Sequence, residues 1–371
     1  MSVPVAYDFP TDLESIEARI DAIDPIKYGK TRNYIDGDVT YLSPYISRGV
    51  ISTKYVKDKI LAKGYKTYQI EKFLQELAWR DYWQALWQHH GNGILHDLKQ
   101  PQPDVQNNQI SAALIHHKTG IEAIDYYIEQ LYAQGYMHNH VRMYVASIAC
   151  NIAKSHWLVP ANWLYYYLLD GDVASNHLSW QWTCGAASSK KYYCNQENIS
   201  KFTNSRQVRS FMAHDYDTIA TMPIPDILKA TTLPEFITEL PENTNLKIDT
   251  SLPTCVYNSY NLDPFWHEHE KMNRVLLLEP DHFKKHPVNK KVIDFVIGLS
   301  KNIDGIQVYV GSFNDIVQQY EGALHQIFYK EHPAFKHYKG ICEIRDWLNP
   351  AAKGNFNSFF QYWKIVSKQI K

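Results

Sequence analysis

The chain has 371 residues, enough for two domains of ordinary size, each with a sizeable core. Lys+Arg number 38 and Asp+Glu 39, a formal net charge of -1, so whole-molecule electrostatics neither demands nor forbids a nucleic-acid partner; only a local basic surface would signal one. Five scattered cysteines with no CxxC pair argue against a disulfide framework, and no apolar run approaches the roughly 18 residues of a membrane span, so a soluble, cytoplasmic, membrane-free protein is expected.

From about Leu13 to Lys201 the apolar spacing is helical. Thr40 and Ser43 fall just before a helix with Pro44 in its first turn, where hydroxyls cap backbone N–H groups. Ile70, Phe73, Leu74, Leu77 and Ala78 form one apolar helical face, and Ile124, Tyr127, Ile128 and Leu131 form another. Between them Pro101-Gln102-Pro103-Asp104 and the amides that follow read as a polar loop. The densest chemistry lies in Asp170-Gly171-Asp172-Val173-Ala174-Ser175-Asn176-His177-Leu178-Ser179-Trp180-Gln181-Trp182, where two carboxylates, an amide and two indoles crowd together. Acids and amides are buried only with partners, and tryptophan is readily oxidised by one electron, so a buried redox ring system accounts for both.

Between about Met222 and Thr254 the chain turns Pro-rich and acidic, as a connector does. Cys255-Val256-Tyr257, Arg274 to Glu279 and Ile306 to Gly311 then have strand length, with an amphipathic helix from Val292 to Leu299. The expected division is a helical domain over 1–221, a linker over 222–253 and a small parallel α/β domain over 254–371.

The pattern DGDxxxNxxxWQW from Asp170 to Trp182 resembles the flavin signature of the photolyase and cryptochrome family. Glu76-Leu77-Ala78-Trp79-Arg80-Asp81-Tyr82-Trp83 and Met137-His138-Asn139-His140-Val141-Arg142-Met143 resemble two further blocks of that family, in its order. The resemblance implies a mainly α fold, with an all-helical FAD-binding domain followed by a small Rossmann-like α/β domain. The family normally places its α/β domain first, so here the α/β part reads as permuted or truncated, with a convergent unit as the alternative. Its antenna chromophore is unknown.

FAD is the implied cofactor, and no metal is required. A flavin dinucleotide needs hydroxyls, helix starts and a cation for its phosphates and polar groups around its ring. By resemblance Tyr28, Thr40, Leu42, Ser43 and Arg80 serve the phosphates, with Val39 standing where the family has a hydroxyl. An ion pair of Arg80 with Glu76, four residues away, is the plain alternative. Phe73 replaces a tryptophan wall, while Asn139, Arg142, Asp170, Asp172 and Asn176 line the isoalloxazine, Asp170 pairing with Arg142 and Asn176 facing N5. An amide at that place is typical of repair enzymes; receptors of the family carry an acid or a cysteine.

Trp180 and Trp157 match the family's two inner electron-carrying tryptophans. The outer one has no match, its place falling near Pro103-Asp104, and Tyr126, Tyr127 or Trp163 would have to substitute. Glu76, Trp79, Asn139, Met143 and Trp182 match the pocket that takes a flipped pyrimidine dimer, where aromatic faces replace lost stacking. The implied activity is that of a deoxyribodipyrimidine photolyase: light-driven repair of cyclobutane pyrimidine dimers in DNA by a monomer. A cryptochrome-like receptor without repair is the alternative. After Trp182 the chain departs from the family. There Lys190 and Lys191 are either phosphate contacts or a solvated basic turn, His177 either packs or moves protons, and Cys184 and Cys194 are placed to approach each other in a loop.

Overall fold

The computed structural model describes residues 7–242, 245–352 and 354–370. It divides into two compact units that interleave along the chain.

The first unit comprises residues 1–8, 26–39 and 90–236 and is helical. Its helices include Glu122–Gln134, Asn139–Ala146, Leu158–Tyr167, Val173–Cys184 and Gln196–Thr203. Helix Glu122–Gln134 buries Ile124, Tyr127, Ile128 and Leu131, the face expected from their spacing. It ends at Gly135, whose positive φ of 71° places its N–H on Leu131 O at 2.9 Å, and whose absent Cβ would meet Leu169 Cγ at 2.8 Å. Helix Val173–Cys184 starts where the Asp172 carboxylate accepts from Ser175 N. Helix Asn139–Ala146 continues into a wide π-type stretch, Ser147–Ile152, buried throughout. One apolar cluster joins these elements, with Ile128, Val141, Tyr144, Ile148, Trp157 and Trp180 among its members. The polar loop after Pro101 has no regular structure and is pinned by Gln102, whose side chain donates to Ser155 O and accepts from Trp157 N.

The second unit comprises 9–25, 40–89 and 237–371. At its centre is a parallel sheet of five strands: β1 Thr254–Tyr257, β2 Asn273–Leu278, β3 Ile306–Val310, β4 Ile327–Lys330 and β5 Ile341–Glu343. Their order is β3-β2-β1-β4-β5, so the central strand is the first in sequence. Val256 lies opposite Val275 on one side and Tyr329 on the other, and every residue of β1 is buried, as covered parallel strands require. Helices Pro280–Lys285 and Lys290–Ser300 connect β2 to β3, and helix Phe313–Gln319 follows β3.

The sequential split at 222–253 is therefore not where the chain divides into compact units. Helices Leu13–Asp21, Thr53–Ala62 and Glu71–His90, expected in a helical first domain, cluster with the sheet. The reason is specific bonding to later residues: Leu13 N donates to Asn302 Oδ1 at 2.9 Å, Leu348 N donates to Asp81 Oδ2 at 2.8 Å, and the rings of Tyr45 and Phe295 lie 6.0 Å apart. The expected connector is also partly structured, since Thr231–Thr232 pairs antiparallel with Ile110–Ser111.

Candidate functional site

The residues singled out from sequence divide between the units. Tyr28, Asn139, Arg142, Met143, Trp157, Asp170, Asp172, Asn176, Trp180 and Trp182 are in the first; Thr40, Leu42, Ser43, Phe73, Glu76, Trp79 and Arg80 are in the second.

In the first unit the loop before helix Val173–Cys184 builds the polar centre. Arg142 Nη2 donates to both carboxylate oxygens of Asp170, at 3.0 and 2.9 Å, while its Nε donates to Met137 O at 2.7 Å. A guanidinium fixed at both edges cannot swing, so this pair is a rigid wall. Asp172 is 3% exposed, and its Oδ1 accepts from the Ser175 amide at 2.6 Å and the Ser175 hydroxyl at 2.7 Å. One oxygen of the acid expected at the flavin's polar edge is thus committed to the helix start. Asn176 Nδ2 donates to Ala161 O at 2.9 Å, which fixes the amide's rotation. That bond consumes an N–H and leaves Oδ1 available as an acceptor.

His177 is fully buried, bonded to Asn162 Oδ1 at 2.9 Å and set edge-on to Trp157, a packed and oriented ring. His138 caps helix Asn139–Ala146; burial, helped by His140 and Arg142, pulls its pKa down to about 4 and keeps it neutral. Asn139, one residue on, is exposed, and Met143 is half-buried. Tyr28, on helix Pro25–Thr31, is also half-buried.

Trp157 and Trp180 are buried, at 0% and 2% exposure, in the same apolar cluster. Trp182 is 40% exposed and its ring lies 6.0 Å from Tyr192. Among the candidate outer aromatics, Trp163 donates its indole N–H to Tyr132 OH at 2.9 Å, and the Tyr132 ring lies 4.5 Å from that of Tyr167; Tyr126 and Tyr127 contact each other at 5.0 Å. In the divergent loop Lys191 is held by Asp104 at 2.6 Å, which removes it from the set of open basic groups, whereas Lys190 is exposed. The buried thiol of Cys184 interacts with Cys150, on the π stretch Ser147–Ile152.

In the second unit Ser43 opens helix Ser43–Ser47 after a buried Leu42, and Thr40 Oγ1 accepts weakly from Leu42 N at 3.4 Å. Arg80 Nη1 donates to Ser47 Oγ at 2.7 Å, placing the guanidinium beside that short helix, while Glu76 forms its ion pair with Lys72, at 3.1 Å. The plain Arg80–Glu76 pairing is therefore not the one that forms. Phe73 is buried. Asp81, next to Arg80, is fully buried, and desolvation raises its pKa to about 6 against hydrogen bonds from Leu348 N and Thr53. Trp79 stacks face to face on Phe359, centroids 3.8 Å apart.

These residues suit FAD in kind: a rigid cation–carboxylate wall, an amide with a free acceptor end and buried indoles in one unit, and hydroxyls with a guanidinium at a helix start in the other. No motif flagged three contributors that the structure makes prominent. Asp97 and His156 bond to each other and Asp97 to Trp157, and Phe359 covers Trp79. Each comes from a segment without a recognisable spacing.

A family model described as the FAD binding domain of DNA photolyase matches residues 73–214. That region is similar to the FAD-binding domain of the photolyase and cryptochrome family, which supports FAD as its cofactor. Among curated relatives, the chain is 27% identical over 202 residues to a cryptochrome DASH of Danio rerio, covering 50% of this chain and 38% of that protein. It is 32% identical over 186 residues to a cryptochrome DASH of Ostreococcus tauri, covering 47% of this chain and 33% of that one. It is 28% identical over 155 residues to a deoxyribodipyrimidine photo-lyase of Alkalihalophilus pseudofirmus, covering 41% and 32%. The chain thus spans well under half the length of these relatives. A solved Synechocystis cryptochrome aligns with a TM-score of 0.48 at 23% identity, over 61% of this chain and 49% of that one. Among the described residues no helix is long and apolar enough to cross a membrane.

Proposed function

We propose that the protein is a light-driven, FAD-dependent enzyme that repairs cyclobutane pyrimidine dimers in DNA. The observation that carries this reading is the polar centre of the first unit: the Arg142–Asp170 pair, the Asp172 helix cap and the amide of Asn176, beside buried Trp157 and Trp180. FAD, when bound, supplies the light-absorbing electron donor of this chemistry. Arg142 and Asp170 hold the wall of its site, and Asn176 offers Oδ1 to a ring N–H. Trp157 and Trp180 resupply electrons from within a dry cluster. Thr40, Ser43, Tyr28 and Arg80 take the phosphates.

Glu76, Trp79, Asn139, Met143 and Trp182 are assigned to the lesion, with the exposed Trp182 and Asn139 open to a polymer. The strand order β3-β2-β1-β4-β5, that of a doubly wound sheet, supports reading the α/β part as a relocated or shortened Rossmann-like counterpart of the family's first domain.

One observation favours a receptor without repair: Phe359 already occupies a face of Trp79. Illuminating the reduced protein with a dimer-containing oligonucleotide and following the dimer by chromatography decides between them. Loss of the dimer under blue light supports repair; binding without loss supports the receptor. A chain that takes up no FAD ends both readings.

A further inference from the structure

We propose that Asp97 is the proton acceptor for Trp157 when that indole is oxidised, and that the carboxyl then passes the proton to solvent. The proposal rests on the photochemical reading above and extends it to residues outside the family's motifs.

The Trp157 ring is fully buried, and its Nε1–H donates to Asp97 Oδ1 at 2.6 Å. The same oxygen lies 3.2 Å from His156 Nε2, and Asp97 Oδ2 accepts from Gln102 N at 2.7 Å. Gln102 in turn holds the Trp157 backbone amide at 2.8 Å, so acid and indole are locked by one residue. A buried indole needs only some acceptor for its N–H. The buried Trp163 meets that need with the neutral hydroxyl of Tyr132. Trp157 has a carboxylate instead, a base as well as an acceptor, in the short geometry of a charge-assisted bond. The side chains of His156 and Asp97 are 26% and 22% exposed, so the base stands between a dry ring and water.

With flavin bound, its photo-excited oxidised form would be the one-electron oxidant, reached by way of Trp180, and the Trp157 indole would become a radical cation whose N–H is strongly acidic. The Nε1–H bond breaks, its electron pair stays on nitrogen, and the proton forms a bond to Asp97 Oδ1. A neutral indolyl radical remains, and the protonated Asp97 carboxyl, 22% exposed at the side chain, then releases the proton to water. An external thiol later returns an electron, and a proton from water restores the indole. Back-transfer to a neutral radical requires the proton as well, so the charge separation lasts. Deprotonation here performs the trapping that an outer aromatic would otherwise provide, on the loop where the family's outer tryptophan has no match.

Asp97→Asn keeps an oxygen acceptor and removes the base. Flash absorption on the flavin-loaded full chain should show the tryptophan radical cation converting to the neutral radical, more slowly in deuterium oxide. In Asp97→Asn the conversion should slow by at least about tenfold at unchanged flavin content, and Asp97→Glu should recover most of the rate. Independently of flavin, the indole N–H resonance of Trp157 in 15N-labelled protein should lie downfield and move upfield in Asp97→Asn. An unmoved resonance, or conversion at the wild-type rate in Asp97→Asn with flavin bound, overturns the proposal and leaves the proposed function standing. A flavin-loaded wild type that forms no tryptophan radical overturns both.

Discussion

The indole of Trp79 lies parallel to the ring of Phe359, the two planes 7° apart with centroids at 3.8 Å, so one face of the residue assigned to clasp a flipped base is already stacked by the chain's own C-terminal helix. That helix, Phe359–Val366, buries Phe359, Tyr362, Trp363 and Val366, and Trp363 Nε1 reaches Glu71 Oε1 at 3.4 Å. Phe359→Ala is expected to cost about 3 kcal/mol of stability through lost packing. It should also raise acrylamide quenching of Trp79 and, if Trp79 stacks a base, tighten binding of a dimer-containing oligonucleotide several-fold. Unchanged affinity with increased quenching would remove Trp79 from the lesion site.

Asp170→Ala leaves the Arg142 guanidinium without its carboxylate in a site where the acid is only 3% exposed at the side chain. Removing one member of a buried pair costs about 3 kcal/mol or more. Urea unfolding should register that loss, and the absorbance of bound flavin should fall in parallel. Retained stability would mean that water replaces the pair.

Acid should destabilise the chain well before its ordinary carboxylates titrate. His138 and His286 are held at about 4 by burial, against 6.5 when unfolded. The unfolded state therefore binds more protons between these values, and stability present above pH 6.5 is lost as pH falls toward 4, by up to about 3 kcal/mol for each histidine. Asp81, raised to about 6, acts in the opposite sense, since its contribution favours folding at low pH and is lost as pH rises through 6. Melting temperature against pH should accordingly fall below pH 6.5, more steeply in Asp81→Asn and less steeply in His138→Asn.

Trp180→Phe should abolish photoreduction of bound flavin while leaving chemically reduced protein as active as before, because the indole is buried in the cluster that also holds Trp157. Equal photoreduction in the variant would move the electron path to the Trp163–Tyr132–Tyr167 contacts.

Glu76→Ala should slow dimer repair by roughly one to two orders of magnitude without changing flavin content, if the carboxylate steadies the lesion. The side chain already pairs with Lys72 on the same helix, so the loss in stability should be only a few tenths of a kcal/mol.

Local signals in the sequence suffice where the physics is local. The faces of Ile124, Tyr127, Ile128 and Leu131, the strands at Thr254–Tyr257 and Asn273–Leu278, and the Arg142–Asp170 pair all follow from spacing or motif. What escaped depends on long-range partners. Helical spacing offers Glu76 as a plain partner for Arg80, but the 2.7 Å bond that Arg80 makes goes to Ser47, on another helix, and no local spacing points there. Hydrogen bonds to Asn302 and from Leu348 group the early helices with the sheet in one compact unit. No periodicity encodes such a preference.

The bond from Leu13 to Asn302 bridges 289 positions. At translation speeds of about 5 to 20 residues per second, the helix Leu13–Asp21 emerges roughly 15 to 60 seconds before the residue that anchors it exists. During that interval the segment has helix Thr53–Ala62 beside it, with Lys63 Nζ donating to Ile20 O at 3.0 Å, but not yet the bond that fixes its start. Nascent polypeptides stalled short of residue 302 should therefore engage chaperones through this segment, and release from them should coincide with synthesis of the third strand.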